Sequence, residues 1–85
     1  MSVTVNIAKI PVGLERYING TVTLVMDRFK DTSCGEWVYE VAKDVYWQLD
    51  DDIENMGMTL NIFAEFENEM QAIYFRMNYG TLTTI

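Results

Sequence analysis

The sequence predicts an α+β fold of one small domain, residues 1–85, in which an antiparallel four-stranded sheet carries one long helix on one face. The chain has 85 residues, 49% of them hydrophobic and 13% aromatic, which is enough for a single core and too apolar for a disordered chain. Segments of alternating apolar residues flank one segment of helical period. The predicted element order is therefore ββαββ.

The first strand is predicted from alternation near the N-terminus. Val3, Val5 and Ile7 alternate with polar or small residues, which is the period of a half-buried strand. Pro11 and Gly13 are expected to end this strand.

The following segment allows two interpretations. Residues 14–18 fit either a short strand joined through Asn19-Gly20 to the next strand as a hairpin, or a helical turn capped by Gly20. The hairpin is favoured, because residues 21–29 are rich in β-branched and large apolar side chains. That composition predicts a strand buried on much of both faces.

A long helix is predicted to begin at Ser33, which has capping-box spacing to Glu36. Gly57 is the expected C-terminal cap, so the helix would span about 20 residues, or roughly 30 Å. Apolar residues at helical period give it a core stripe: Val38, Val41, Ala42, Val45, Leu49 and Met56.

Two more strands are predicted after the helix. Residues 58–67 alternate in hydropathy, and the side chains expected on the buried face are Leu60, Ile62, Ala64 and Phe66. A tight turn is predicted at residues 68–69. Residues 72–79 then alternate again, with Ile73, Phe75, Met77 and Tyr79 on one face.

The net charge of −7 is confined to the second half of the chain. Residues 1–43 contain five acids and five bases, whereas residues 44–85 contain eight acids and only Arg76 as a base. Such a field repels nucleic acid and anionic membranes and attracts basic surfaces.

The acids also share a predicted surface. Five acids of the long helix lie within an arc of about 80° opposite its core stripe: Glu36, Glu40, Asp44, Asp51 and Glu54. Trp47 lies in the middle of this arc as an aromatic anchor. Glu65 and Glu67 lie about 6.7 Å apart on the wet face of the third strand. Rows of carboxylates can resemble a phosphate backbone. The candidate partner-binding residues are Glu36, Glu40, Asp44, Trp47, Asp50, Asp51, Glu54, Glu65 and Glu67.

Other kinds of site are not expected. The chain has no histidine and a single cysteine, Cys34, which argues against a zinc site and against a histidine-activated nucleophile. Asn55 and Asn61 occupy the positions where an EF-hand loop starting at Asp50 needs Gly and Glu. We therefore expect no catalytic residues, no metal and no cofactor. With neither a long apolar span nor a signal sequence, the expected location is cytoplasmic.

These observations favour a non-enzymatic inhibitor that mimics nucleic acid and occupies the basic groove of a DNA- or RNA-handling protein of the restriction or CRISPR type. Residues 7–27 resemble the opening of the acidic antirestriction proteins carried by mobile elements, over about a quarter of the chain. No specific motif is shared, so no residue role is carried over.

Two alternatives remain at this point. The first is that the acids serve only solubility, on a solvated face. The second is that the chain is a homodimeric structural or regulatory module, in which a second copy covers the free face of the sheet, with Phe63 and Tyr74.

Overall fold

The computed structural model describes residues 2–13, 18–52 and 57–83. These residues form an α+β fold with a three-stranded sheet and three helices. The elements in chain order are β1 (Val3–Gly13), α1 (Ile18–Lys30), α2 (Ser33–Val41), β2 (Asp44–Asp52), β3 (Gly57–Phe66) and α3 (Glu69–Asn78). The predicted four-stranded sheet with one long helix is therefore wrong.

The sheet has the order β1-β3-β2, and both outer strands run antiparallel to β3. The C-terminal segment flanks the outer edge of β1, where Leu82 donates its N–H to the carbonyl of Ile7 and accepts from the N–H of Lys9. Within the described residues, no strand pairs with the outer edge of β2. The strand that contains Asp44 to Asp52 is thus an edge strand.

The helices cover one face of the sheet. Trp37 of α2 and Phe75 of α3 both pack against Phe66 of β3, with ring centroids 5.7 and 6.3 Å apart. The predicted alternation of β3 is confirmed, since its side chains on this face are fully buried: Leu60, Ile62, Ala64 and Phe66. We call the other face, which carries Asn61 and Phe63, the open face.

Strand β1 is longer than the sequence indicates. It continues through Pro11 to Gly13, which a strand at the side of a sheet tolerates. The register shifts between Asn6 and Ala8, so the alternation changes phase at this irregularity. Beyond it, Ala8 and Ile10 are the buried side chains.

Residues 18–30 form the helix α1, so the predicted strand over residues 21–29 is wrong. Asn19 and Gly20 lie within this helix, which rules out the predicted hairpin turn at that point. The buried residues Val22 and Phe29 lie seven positions apart, on one face of the helix. The β-branched composition favours a strand, but the buried residues have the spacing of a helix. Residues 14–17, the other part of the hairpin prediction, lie outside the described residues.

Helix α2 begins where a helix was predicted but is capped one residue earlier. The Thr32 hydroxyl accepts a hydrogen bond from the Gly35 N–H at 2.9 Å. The corner between α1 and α2 is so tight that a Cβ on Gly35 would lie 1.7 Å from the carbonyl oxygen of Phe29. Helix α2 ends at Val41 rather than near Gly57, and the predicted long helix is therefore wrong.

The last predicted strand is also a helix. Asn68 is the N-cap of α3, and its side-chain oxygen accepts from the Gln71 N–H at 3.0 Å. Ala72 and Phe75, one turn apart, are fully buried. None of the helices among the described residues is long and apolar enough to cross a membrane.

Candidate protein-binding surface

The predicted acidic face does not form as one helical arc. Glu36 and Glu40 are exposed on α2. Asp44, Asp50 and Asp51 lie on β2, because α2 ends before Asp44. The predicted surface is thus divided between a helix and an edge strand.

Strand alternation further divides the residues of β2. Asp44 and Asp50 pair in register with Glu65 and Thr59, and their side chains lie on the open face. Trp47, opposite Ile62, and Asp51 belong to the face that the helices cover. The predicted helix placed Trp47 in the middle of the acids. In the structure it lies on the other face of the sheet from Asp44 and Asp50.

Trp47 instead lines a cleft beside α1. The cleft has a volume of about 440 Å³, and its walls are Val22, Thr23, Met26, Asp27, Lys30 and Trp47. The indole is about half exposed. The cleft thus joins Trp47 of the edge strand to residues of α1.

The two remaining acids have different positions. Glu67 follows the end of β3, is exposed, and donates its backbone N–H to the side-chain oxygen of Gln71 at 3.1 Å. Of the two acids predicted to form a row on this strand, Glu65 lies within β3, whereas Glu67 is the residue directly after its end at Phe66. Glu54 lies outside the described residues.

One end of the open face carries two carboxylates directly opposite each other. Asp44 on β2 is the register partner of Glu65 on β3, and like charges at directly opposed positions of an antiparallel pair are destabilising. The adjacent Lys43 gives its backbone N–H to the Glu65 carbonyl at 2.7 Å, while its ammonium lies 3.4 Å from the Ser2 hydroxyl. We call Asp44 and Glu65 the acidic pair.

An aromatic pair occupies the next row of the open face. Tyr46 and Phe63 are register partners, and their rings are stacked with centroids 5.3 Å apart and planes inclined by 22°. The Tyr46 side chain is about half exposed. The acidic pair is thus bordered by an accessible aromatic surface.

A polar network follows on the same face. Asn6 donates to the side-chain oxygen of Asn61 at 3.1 Å, and Asn61 in turn donates to Asp50. Gln48 donates to the other oxygen of Asp50 at 3.1 Å. Asn61 is nearly buried, so this network joins all three strands across the centre of the sheet. The side-chain oxygen of Asn6 is buried without a hydrogen-bond partner.

The sequence interpretation did not include Tyr46, Phe63, Asn6 or Asn61 among the partner-binding residues, although it placed Phe63 on the free face of the sheet. A signal for the first of them was present, since residues 44–50 alternate between polar or tyrosine side chains and the apolar Val45, Trp47 and Leu49. That alternation has the period of a strand. It was overlooked because Val45 and Leu49 also fit the helical stripe.

This arrangement is suited to hold a cation. A carboxylate pair accepts hydrogen bonds from a guanidinium or an ammonium group, and an aromatic ring beside it provides a face for cation–π contact or stacking. A lysine or arginine side chain that reached Asp44 and Glu65 would lie next to Tyr46. Its charge would also relieve the repulsion within the acidic pair.

Among the described residues, neither Cys34 nor a metal-binding cluster provides a second candidate site. Cys34 is buried, and this burial raises the pKa of its thiol to about 11, so the thiolate is scarce at neutral pH. No group of three or more metal-binding side chains lies together among residues 2–13, 18–52 and 57–83.

Comparisons of the chain with protein-family models, with curated proteins and with solved structures gave no match. The function of the chain is therefore inferred from the surface itself.

Proposed function

We propose that this protein is a non-enzymatic binding protein whose open sheet face receives basic side chains of a nucleic-acid-handling protein. The observation that carries the proposal is the acidic pair Asp44 and Glu65 beside the stacked rings of Tyr46 and Phe63. In this proposal the protein acts as an inhibitor that mimics nucleic acid, of the restriction or CRISPR type, and takes the place of phosphate groups in a basic groove.

The distribution of charge supports this proposal. Eight acids against one base in residues 44–85 produce a field that attracts basic surfaces and repels nucleic acid. Asp44 and Asp50 are six residues apart on β2, or about 20 Å along a strand. The open face can therefore present carboxylates at two separated points of one groove.

Helix α2 adds two exposed acids that shortly precede β2 in the chain. Glu40 precedes Asp44 by only four residues, and both Glu36 and Glu40 are exposed. The two lysines that flank α2 in the chain have other contacts, since Lys30 lies over the ring of Tyr39 at 5.4 Å and Lys43 contacts Ser2. The carboxylates thus remain accessible to a partner's cations.

The test has two stages. The immobilised protein is exposed to a bacterial lysate at low salt, and retained proteins are eluted with a salt gradient. Any nucleic-acid-binding protein recovered is then mixed with its fluorescent DNA or RNA, and displacement by this protein is followed by anisotropy. We expect stoichiometric displacement that weakens as salt rises.

Two matched variants make the test specific. D44N/E65Q removes the acidic pair with little change of shape, and D27N/D31N removes the same number of charges from the α1 side. The first variant should lose retention and displacement by about tenfold or more, whereas the second should retain both. Equal behaviour of the two variants, or retention of no nucleic-acid-binding protein, would contradict the proposal.

A further inference from the structure

The outward face of α3 is apolar over its whole length. Its exposed side chains follow the spacing i, i+3, i+4 and i+7, and their exposed fractions are 76% for Met70, 43% for Ile73, 47% for Tyr74 and 81% for Met77. Single exposed apolar residues are ordinary on a protein surface. Four on one helix face form an apolar patch, which is a feature that interaction sites present. We call these four residues the α3 stripe.

The α3 stripe lies opposite the side of the helix that faces the core. Ala72 and Phe75 are fully buried, and at 100° per residue the stripe is centred on the other side of the helix axis. Trp37 packs beside Tyr74 with ring centroids 4.8 Å apart, which holds this tyrosine in place. A helix that is apolar on both sides is typical of one buried between two layers.

The polar residues beside the α3 stripe indicate which partner fits it. Glu69 and Arg76 lie along one side, seven residues apart, and Gln71 and Asn78 lie along the other side with the same separation. When two copies of a helix pack antiparallel about a two-fold axis, each side meets the same side of the other copy. Glu69 would then face the partner's Arg76, and Gln71 would face the partner's Asn78.

We infer that two copies of this chain associate through antiparallel packing of their α3 stripes, with the two-fold axis near Ile73 and Tyr74. Met70 then contacts the partner's Met77. A parallel arrangement would place the charged side of one helix against the amide side of the other, and would leave Arg76 without a carboxylate. Arg76 is the only base after Lys43, and the antiparallel arrangement gives it an acidic partner.

The inferred dimer is weak and leaves the open faces accessible. Helix α3 has 10 residues and is about 15 Å long, so the interface is at the small end of specific interfaces and a micromolar dissociation constant is expected. The helix layer and the acidic pair lie on opposite faces of the sheet. Self-association would therefore present two acidic faces outward, and the dimer does not depend on the proposed function.

Sedimentation equilibrium from about 1 µM to about 1 mM protein, the range of weak association, tests this inference. The wild-type chain should change from monomer to dimer, and M70S/M77S should remain monomeric throughout. Leu24 on α1 is 51% exposed, so L24S is a matched control that should dimerise like the wild type. A wild-type monomer at all concentrations, or a dimer of M70S/M77S with unchanged affinity, would overturn the inference.

A charge exchange tests the antiparallel orientation. E69R places two arginines opposite each other at both ends of the interface, and should weaken the dimer about tenfold. The double variant E69R/R76E restores opposite charges and should restore the association. Failure of the double variant to recover would refute the antiparallel pairing, provided that its circular dichroism and urea midpoint show a folded chain.

Discussion

Replacement of Gly35 by alanine should destabilise the protein severely, because the corner between α1 and α2 has no room for a Cβ. The new atom would lie 1.7 Å from the carbonyl oxygen of Phe29 and 2.6 Å from its carbonyl carbon. Both are backbone atoms at the end of α1, so they cannot move aside as a flexible side chain would. To bring the first contact to 3.0 Å, the two helices must separate by at least about 1.3 Å.

That separation would break three hydrogen bonds at the corner. Thr32 donates its N–H at 3.1 Å and its hydroxyl at 2.7 Å to the Phe29 carbonyl, and Gly35 donates to the Thr32 hydroxyl at 2.9 Å. Each contributes about 1 kcal/mol net, and overpacking adds about 1 to 3 kcal/mol. The higher helix propensity of alanine returns about 1 kcal/mol. We therefore expect G35A to lower the free energy of unfolding by about 3 kcal/mol or more.

Gly20 provides the matched control, since it is also a helical glycine but has no atom within 4 Å of the position that a Cβ would take. G20A should raise the free energy of unfolding by about 0.5 to 1 kcal/mol, because only helix propensity changes. Urea denaturation followed by tryptophan fluorescence gives both values. If G35A cost less than about 1 kcal/mol, or if both variants changed stability in the same direction, the steric argument would be refuted.

The structure predicts the effects of three other substitutions on stability or partner binding. Burial raises the pKa of the Cys34 thiol to about 11, so the neutral thiol stabilises the fold fully below pH 9.0, and this contribution is lost as pH rises toward about 11. C34A should therefore lose less stability than the wild type at alkaline pH, as measured by urea titrations. N68A removes the α3 cap and should cost about 1 kcal/mol by the same measurement, whereas no loss would show that the cap is unimportant. D44T removes the like charge opposite Glu65 and should raise the free energy of unfolding by about 0.5 kcal/mol. The same variant should elute from the basic partner at lower salt, and unchanged elution would contradict the proposed role of Asp44 in binding.

The third strand could be predicted from the sequence because its two faces differ in chemistry. Leu60, Ile62, Ala64 and Phe66 alternate with more polar residues, and the structure buries all four on the helix side. Only one register satisfies such a pattern, since a shift by one residue would expose the whole set. Composition and period agreed here, and the prediction was confirmed.

The boundary between α2 and β2 could not be found in the same way. No glycine or proline marks the end of α2 at Val41, and Val45 and Leu49 fit a helical stripe as well as a strand face. Tertiary pairing with β3 decides the structure of residues 44–52, and that information is not local. The acids were therefore identified correctly as a concentration of charge in the second half of the chain, but their shared helical surface was wrong.

Helix α3 was mistaken for a strand for a reason that bears on the inferred self-association. Its core residues Ala72 and Phe75 have helical spacing, but exposed apolar residues on the opposite side obscure the amphipathic pattern. A helix that contacts solvent on its outer side would have shown polar residues there. The α3 stripe thus explains why residues 72–79 show the alternation of a strand.

The two proposed interfaces should respond to salt in opposite ways. Binding of a basic partner to the open face depends on attraction between opposite charges, so screening weakens it. Self-association through α3 brings together two chains of net charge −7, and its contact is mainly apolar, so screening of the overall repulsion should favour it. A salt series that measures both equilibria on one preparation therefore separates the two surfaces. If salt weakened both to the same extent, the association assigned to α3 would also have to be electrostatic, and the apolar packing inferred for it would be wrong.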